Sequence, residues 1–199
     1  MIQPAVPIVL ASSSQFRRQL LEQFGCAFSS VSPDLDESQL PDETPLALVE
    51  RLSVAKAAAV AASLDVGLVI GSDLVAALDG EVIGKPLSEE AAVSQLERSN
   101  GREVTYLTGL AVINASSGHQ QLHVSRTLAG FRELTSAQIR TYVQRDQPLY
   151  SAGSIRAESL GIALFRYLRG DDPSALIGLP LARLAQMLAN EGVDVFAPN

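Results

Sequence analysis

Residues 7–11, Pro-Ile-Val-Leu-Ala, form a short apolar run that ends in small residues and predicts a buried strand. Ser12, Ser13 and Ser14 offer N-cap hydroxyls for a helix through Phe24, with Gly25 as its stop and Leu20, Leu21 and Phe24 on its inner face. Residues 27–31 predict a second strand, and the polar, acidic stretch 32–44 a loop. Pro45 opens a long helix, rich in alanine, leucine and valine, that reaches about Leu64. Residues 68–78 are strand-like, and Asp79-Gly80 turns them back into a short strand at 81–83. Ser88, followed by Glu89 and Glu90, starts a third helix that ends near Ser99. Residues 104–113 and 121–131 predict a strand pair around Ser116-Ser117-Gly118. Thr135 caps a helix to Arg145, residues 150–165 predict strand and loop, and a last helix runs from about Leu179 to Glu191 before Gly192. Strands that both alternate with helices and form hairpins predict an α/β fold, a mixed sheet with flanking helices.

Composition narrows the class. Apolar residues make up 47% of 199 residues, which suits a globular chain with one core or two lobes sharing one, and residues 1–199 are taken as a single domain. Tryptophan is absent, so the core is expected to be mainly Leu, Val, Ile and Ala. The net charge of −7 argues against a nucleic-acid coat, yet leaves room for a local basic pocket that binds a small anion. Cys26, the only cysteine, can form neither an internal disulfide nor a cysteine-rich zinc site, which suggests a reducing compartment. The N-terminus lacks the basic flank of a signal peptide, and no apolar stretch approaches a membrane span. The expectation is a cytoplasmic protein with no membrane partner.

Several segments hold candidate chemistry. Ser12 to Arg18 follows a strand and opens a helix, whose N-terminal N–H groups and dipole attract phosphate. Arg17 and Arg18 oppose that dipole unless an anion joins them; alternatively they pair with nearby acids. Lys56 shares a helix face with Val49, Leu52 and Val60, so it either snorkels to solvent or points its ammonium into a cleft. Asp73 follows an apolar strand and two small residues, Gly71 and Ser72, which leave room for a ligand or metal. It is a general base, a metal ligand or simply a turn aspartate. Lys85 in Gly84-Lys85-Pro86 is either a phosphate ligand or an exposed hairpin lysine. Asp34, Asp36 and Glu37 could hold Mg²⁺ or lie on a solvated loop. Cys26 is expected to serve packing, and His119 and His123 lack the carboxylate spacing of a zinc site.

The order of these segments resembles the Maf family of nucleoside-triphosphate pyrophosphatases. Residues 10–18 resemble its opening LASxSxRR, residues 35–37 its acidic motif, and residues 51–57 its helix motif RLAxxKA. Gly71-Ser72-Asp73 and Gly84-Lys85-Pro86 resemble its aspartate and lysine motifs. Thr108-Gly109, Phe131-Arg132, Ala152-Gly153 and residues 178–181 continue the match, so it covers nearly the whole chain.

The resemblance implies hydrolysis of a nucleoside triphosphate to the monophosphate and pyrophosphate, with a divalent cation (Mg²⁺, Mn²⁺ or Co²⁺). It implies an elongated mixed sheet in two lobes around a cleft, similar to the inosine-triphosphate pyrophosphatases. Asp73 matches the family's proton acceptor. Ser12, Arg17, Arg18, Glu37, Lys56 and Lys85 match its triphosphate- and metal-handling positions, with Glu37 and Asp73 as the metal ligands. Phe16 and Glu158 resemble the branch that acts on 7-methyl-GTP, whereas the dTTP/UTP branch usually has arginine and glutamine at these places. A cationic N7-methylated base gains from an aromatic face, and a carboxylate can accept from the guanine N1–H and 2-amino group together. The chain departs from that branch at Phe16, where tryptophan is usual, and at Leu74, where glutamine is usual. The alternatives are another nucleotide, or a nucleotide-binding regulator of cell division with little catalysis. Its hairpin edges also leave a homodimer open.

Overall fold

The structure is a computed structural model that describes residues 4–197. Seven strands form one mixed sheet: β1 (Ile8–Leu10), β2 (Phe28–Ser30), β3 (Leu68–Leu78), β4 (Glu81–Ile83), β5 (Glu103–Asn114), β6 (Gln120–Phe131) and β7 (Phe165–Arg169). Five helices accompany them: α1 (Gln15–Glu22), α2 (Pro45–Ala61), α3 (Glu89–Ser99), α4 (Ser136–Asp146) and α5 (Leu181–Asn190). The strand order is β2-β1-β3-β5-β6-β7, with β4 also on β3. β1 runs parallel to β2 and β3, and the other pairings are antiparallel. The mixed sheet expected from the sequence is therefore present. Among the described residues no helix is long and apolar enough to cross a membrane.

β3 organises the molecule. Its residues are almost all buried because helices cover both of its faces, which is why it is apolar without alternation on either side of Gly71-Ser72-Asp73. On one face α2 packs through Leu48, Val49, Leu52, Ala57 and Val60 against Val69 and Val75. The opposite face carries two separate cores. Leu68 and Ile70 join Leu20 and Leu21 of α1 and Leu184 and Leu188 of α5. Ala76 and Leu78 join Leu96 of α3 and Ile139 and Val143 of α4. Ser72 and Leu74 stand at the seam between these cores.

The same seam is a gap in the sheet. β1 pairs with β3 at residues 68–70, and β4 pairs with the same edge at residues 76–78. Residues 71–75 of β3 have β5 on one side and no strand on the other. The Asp79-Gly80 turn, with both residues at positive φ, returns β4 along this edge, but β4 ends at Ile83, opposite Ala76, before it reaches the gap.

Close approach of α2 rests on two glycines. A Cβ on Gly71 would lie 2.2 Å from the Ser53 carbonyl oxygen, and one on Gly109 would lie 2.2 Å from Ser53 Oγ. The room expected at Gly71 for a ligand is thus filled by the backbone of α2. Ser72 is also occupied: its hydroxyl sits 2.7 and 2.9 Å from the carbonyls of Gly109 and Gly178.

Helix caps follow the sequence closely. Thr44, Ser88 and Thr135 accept N–H groups from Ala47, Ala91 and Gln138. Of the three candidate serines before α1, Ser14 is the cap, accepting the Arg17 N–H. α5 starts at Leu181, where Ser174 Oγ and the buried Asp172 take the N–H groups of Leu181 and Ala182.

One expectation is corrected. Residues 150–165 hold no strand before Phe165; they form 3₁₀ turns at Ala152–Ser154 and Leu160–Leu164, and β7 follows. Gly153 and Ser154 both have left-handed φ, which extended pairing does not allow. β7 itself, Phe-Arg-Tyr-Leu-Arg, is a half-exposed edge strand whose charges mask its alternation.

Gly71→Ala should push α2 off the sheet and cost ~1–3 kcal/mol in urea unfolding. Gly84, with open space around its would-be Cβ, is the control: Gly84→Ala should stay within ~0.5 kcal/mol. Equal stability of the two variants would contradict the glycine notch.

Candidate active site

The gap in the sheet opens into a cleft of about 510 Å³. Three walls enclose it: the β1–α1 turn, the acidic loop before α2, and the segment between α4 and β7. Of the residues singled out in the sequence, Ser12, Phe16, Arg17, Glu37, Lys56, Asp73, Leu74, Lys85 and Glu158 all line it. Arg18 does not: it is exposed on the next position of α1 and points away from its neighbour's wall. Adjacent helix positions differ by about 100°, and Arg18 is turned past the arc of α1 that Phe16 and Arg17 present to the cleft.

The centre is a buried ammonium between two carboxylates. Lys56 Nζ donates to Asp73 Oδ1 at 2.6 Å and lies 2.8 Å from Glu37 Oε1. Lys56 is only 5% exposed, which settles its direction in favour of the cleft. A lysine so deep is tolerated because both partners are charged; removal of one would leave an uncompensated buried charge. α2 sets this geometry. Ser53, one turn before Lys56, donates to the Val49 carbonyl and accepts the Asp73 N–H at 3.1 Å. The helix thereby holds both the backbone and the side chain of Asp73.

Glu37 is half-exposed and reaches the centre from its loop. Burial pushes its carboxyl pKa up, but the hydrogen bond and charge of Lys56, aided by Lys85 and Arg17, outweigh this and hold it below the ordinary value. Lys85 Nζ lies 3.7 Å from Glu37 Oε2 and remains half-exposed, a weak pairing that leaves the ammonium free for another anion.

Arg17 stands near the same carboxylates and is tied to the protein backbone. Its Nε donates to the Gly178 carbonyl at 2.8 Å and Nη1 to Ser12 Oγ at 3.4 Å. Burial pulls its pKa down, and the carboxylates of Asp73 and Glu37 oppose that. Ser12 also accepts the Ser14 N–H, so the start of α1 is held toward the cleft.

Phe16 and Glu158 line the same cleft, and a residue missed in the sequence joins them. Arg156 Nε donates to Glu158 Oε1 at 3.2 Å, and its guanidinium carbon lies 5.4 Å from the Phe16 ring centre. An arginine two positions before a glutamate is no signal by itself; only the turn at 152–154 brings it to Phe16.

The acidic loop is pinned by Arg51. It forms a forked pair with Glu43, Nε to Oε1 at 2.6 Å and Nη2 to Oε2 at 2.9 Å, and donates to the Ser38 carbonyl. Asp36 turns back to accept the Ser38 N–H and is absent from the cleft, as is Asp34.

Among the described residues no group of three or more His, Cys, Asp or Glu could hold a metal. His119 pairs with Glu191 at 2.6 Å, and Cys26 is buried in the α1–α5 core, where burial raises its thiol pKa.

A cleft lined by Arg17, Lys56 and Lys85 around the buried Asp73 carboxylate is equipped for hydrolysis of a polyanion. Comparison with known proteins names the family. The family described as Maf-like protein matches residues 7–191. The 7-methyl-GTP pyrophosphatase of Pseudoalteromonas translucida (strain TAC 125) is 48% identical over 191 residues, covering 96% of this chain and 95% of that protein. The 7-methyl-GTP pyrophosphatase of Pseudomonas aeruginosa is 47% identical over 188 residues, covering 94% and 98%. The chain belongs to the Maf family.

Glu43 makes the loop pH-sensitive. The Arg51 hydrogen bond, opposed by burial, lowers its pKa from 4.5 to about 2. A depressed carboxyl stabilises the fold above its unfolded pKa, and that contribution fades as pH falls from 4.5 toward about 2. Glu43→Gln should therefore speed amide exchange of Leu40, whose N–H the carboxylate accepts. Its stability deficit against the parent chain should shrink across that acid window; a deficit independent of pH would contradict the clamp.

Proposed function

We propose that this enzyme, a nucleoside-triphosphate pyrophosphatase of the Maf family, hydrolyses 7-methyl-GTP to the monophosphate and pyrophosphate. The observation that carries the reading is one cleft lined by two unlike groups. Arg17, Lys56 and Lys85 with Glu37 and Asp73 are the first, and Phe16 and Glu158 the second. A triphosphate suits the first and a cationic purine the second. The similar proteins of Pseudoalteromonas translucida and Pseudomonas aeruginosa, named 7-methyl-GTP pyrophosphatases, support the same reading.

In this reading a water attacks the α-phosphorus while the bond to the bridging oxygen breaks. Pyrophosphate leaves with that electron pair, and Asp73 takes the proton from the water. Lys56 fixes the Asp73 carboxylate and offsets charge as it develops. Arg17 and Lys85 hold the phosphate oxygens, assisted by the N-terminal N–H groups of α1. Phe16 stacks on the base, Leu74 packs beside it without hydrogen bonds, and Glu158 accepts from the base edge.

A divalent cation fits this donor set. Glu37 and Asp73 converge on a single nitrogen, so their oxygens are close neighbours. Mg²⁺ is customarily bound by one or two carboxylates with water and substrate phosphates completing its shell. When bound, it would polarise phosphoryl oxygens and offset charge on the leaving group.

Pyrophosphate release should be measured across 7-methyl-GTP, GTP, dTTP and UTP with Mg²⁺, Mn²⁺ or Co²⁺. The expected preference is for 7-methyl-GTP. Asp73→Asn should lower kcat by ~10²–10⁴-fold. Glu158→Gln should erode the preference between bases and leave turnover of the poorest substrate little changed. Robust hydrolysis of dTTP and UTP with none of 7-methyl-GTP would overturn the base assignment.

A further inference from the structure

We propose that Arg156 selects the base beside Glu158, by donating a hydrogen bond to the carbonyl at C6 of a 6-oxopurine. This rests on the reading of the cleft as a nucleotide site and deepens it.

A carboxylate accepts only. It can satisfy the N1–H and 2-amino donors of a guanine edge, but it leaves the third group on that edge, the O6 acceptor, unmatched. Acceptance alone would not distinguish a base that carries this oxygen from one that does not. A donor next to the carboxylate completes the match, and Arg156 is placed for that. Nε is engaged with Glu158 Oε1 at 3.2 Å, and Nη1 donates to the Asp146 carbonyl at 2.9 Å. Nη2 has no hydrogen-bond partner among the described residues. The guanidinium carbon lies 5.4 Å from the Phe16 ring centre, so the same group borders the stacking surface. One planar cation thus touches both residues assigned to the base and retains an unused pair of donors.

The position of Arg156 is set in advance by buried groups. Its backbone N–H donates to the Tyr142 hydroxyl, which donates in turn to the Ser154 carbonyl. Asp146, 5% exposed, lies 3.7 Å from Nη1 through its carboxylate and ties down Ser159 Oγ and the Gly161 N–H. Gly161 packs on the Arg156 backbone, where a Cβ would come within 2.5 Å of its carbonyl oxygen. The turn is therefore closed on itself around the arginine. A donor held in this way loses little entropy when a base arrives. It also leaves the partner of a wrong base unpaired, which is the stronger source of discrimination.

The test uses single-atom replacement. GMP and 6-thio-GMP differ only in the atom at C6, and sulfur is the weaker acceptor. Titration calorimetry with the unaltered chain should show GMP bound about tenfold or more tightly than 6-thio-GMP. Arg156→Met, which keeps the stem and removes the donors, should weaken GMP by that factor and leave 6-thio-GMP nearly unchanged. Arg156→Lys should retain part of the preference. Melting curves establish that each variant is folded; if Arg156→Met is not, the parent chain and Arg156→Lys decide. Equal weakening of both ligands in Arg156→Met, or no preference in the parent chain, overturns the proposal and leaves the pyrophosphatase reading intact. Discrimination between the two monophosphates without pyrophosphate release from any triphosphate would sink the catalytic reading instead.

Discussion

Everything in this protein that bears on chemistry depends on a lysine ammonium kept out of water. Lys56 lies at the interface of α2 with the sheet, and its charge is tolerated only because Asp73 and Glu37 meet it there. In a site of low dielectric, such an arrangement is strong when complete and costly when broken. Its completeness depends on closeness. α2 reaches β3 because Gly71 and Gly109 have no side chain, and Ser53 then fastens the Asp73 backbone to the helix. A bulkier pair of residues would separate helix and sheet, and lysine and aspartate with them.

The cleft above this centre is a property of strand pairing. Two strands share one edge of β3 without meeting, so the middle of β3 faces open space while its ends are built into separate cores. The design keeps a carboxylate at the floor of a cavity on a rigid, doubly covered strand. The irregular segments are at the rim. One, the acidic loop with Glu37, is clamped by Glu43 and Arg51. Another, the turn with Arg156 and Glu158, is closed around Asp146. Both rims therefore place charged side chains on segments held by other charged side chains, which ties site geometry to ionisation.

Charge is divided along the cleft. The net charge of the chain is negative, but Arg17, Lys56, Lys85 and Arg156 come together from four distant segments. Acids in the cleft are few and specific. Glu37 and Asp73 attend Lys56, and Glu158 attends Arg156, so each has a cation at hand. The cleft thus gathers four cations and three carboxylates, a local balance that the overall composition conceals.

Much was legible from residue order alone. Thr44-Pro45, Ser88-Glu89-Glu90, Thr135 and Asp79-Gly80 mark element boundaries through local hydrogen bonds and dihedral preferences, so the chain announces them without tertiary help. The apolar stretches of β3 on either side of Gly71-Ser72-Asp73 likewise follow from burial on both faces. Candidate residues were legible where motif order marked them, as at Lys56, Asp73, Lys85 and Glu37. What the sequence left open was direction. Lys56 could reach solvent or cleft until α2 was seated on its glycine notch. Arg17 and Arg18 looked equivalent until the helix turned one inward and one out. Arg156 carried no mark, because its partner Phe16 is 140 positions away and meets it only through two left-handed residues at 153 and 154. Local propensity and pattern determined the elements; long-range packing, which no short window of sequence contains, decided which side chains share the cleft.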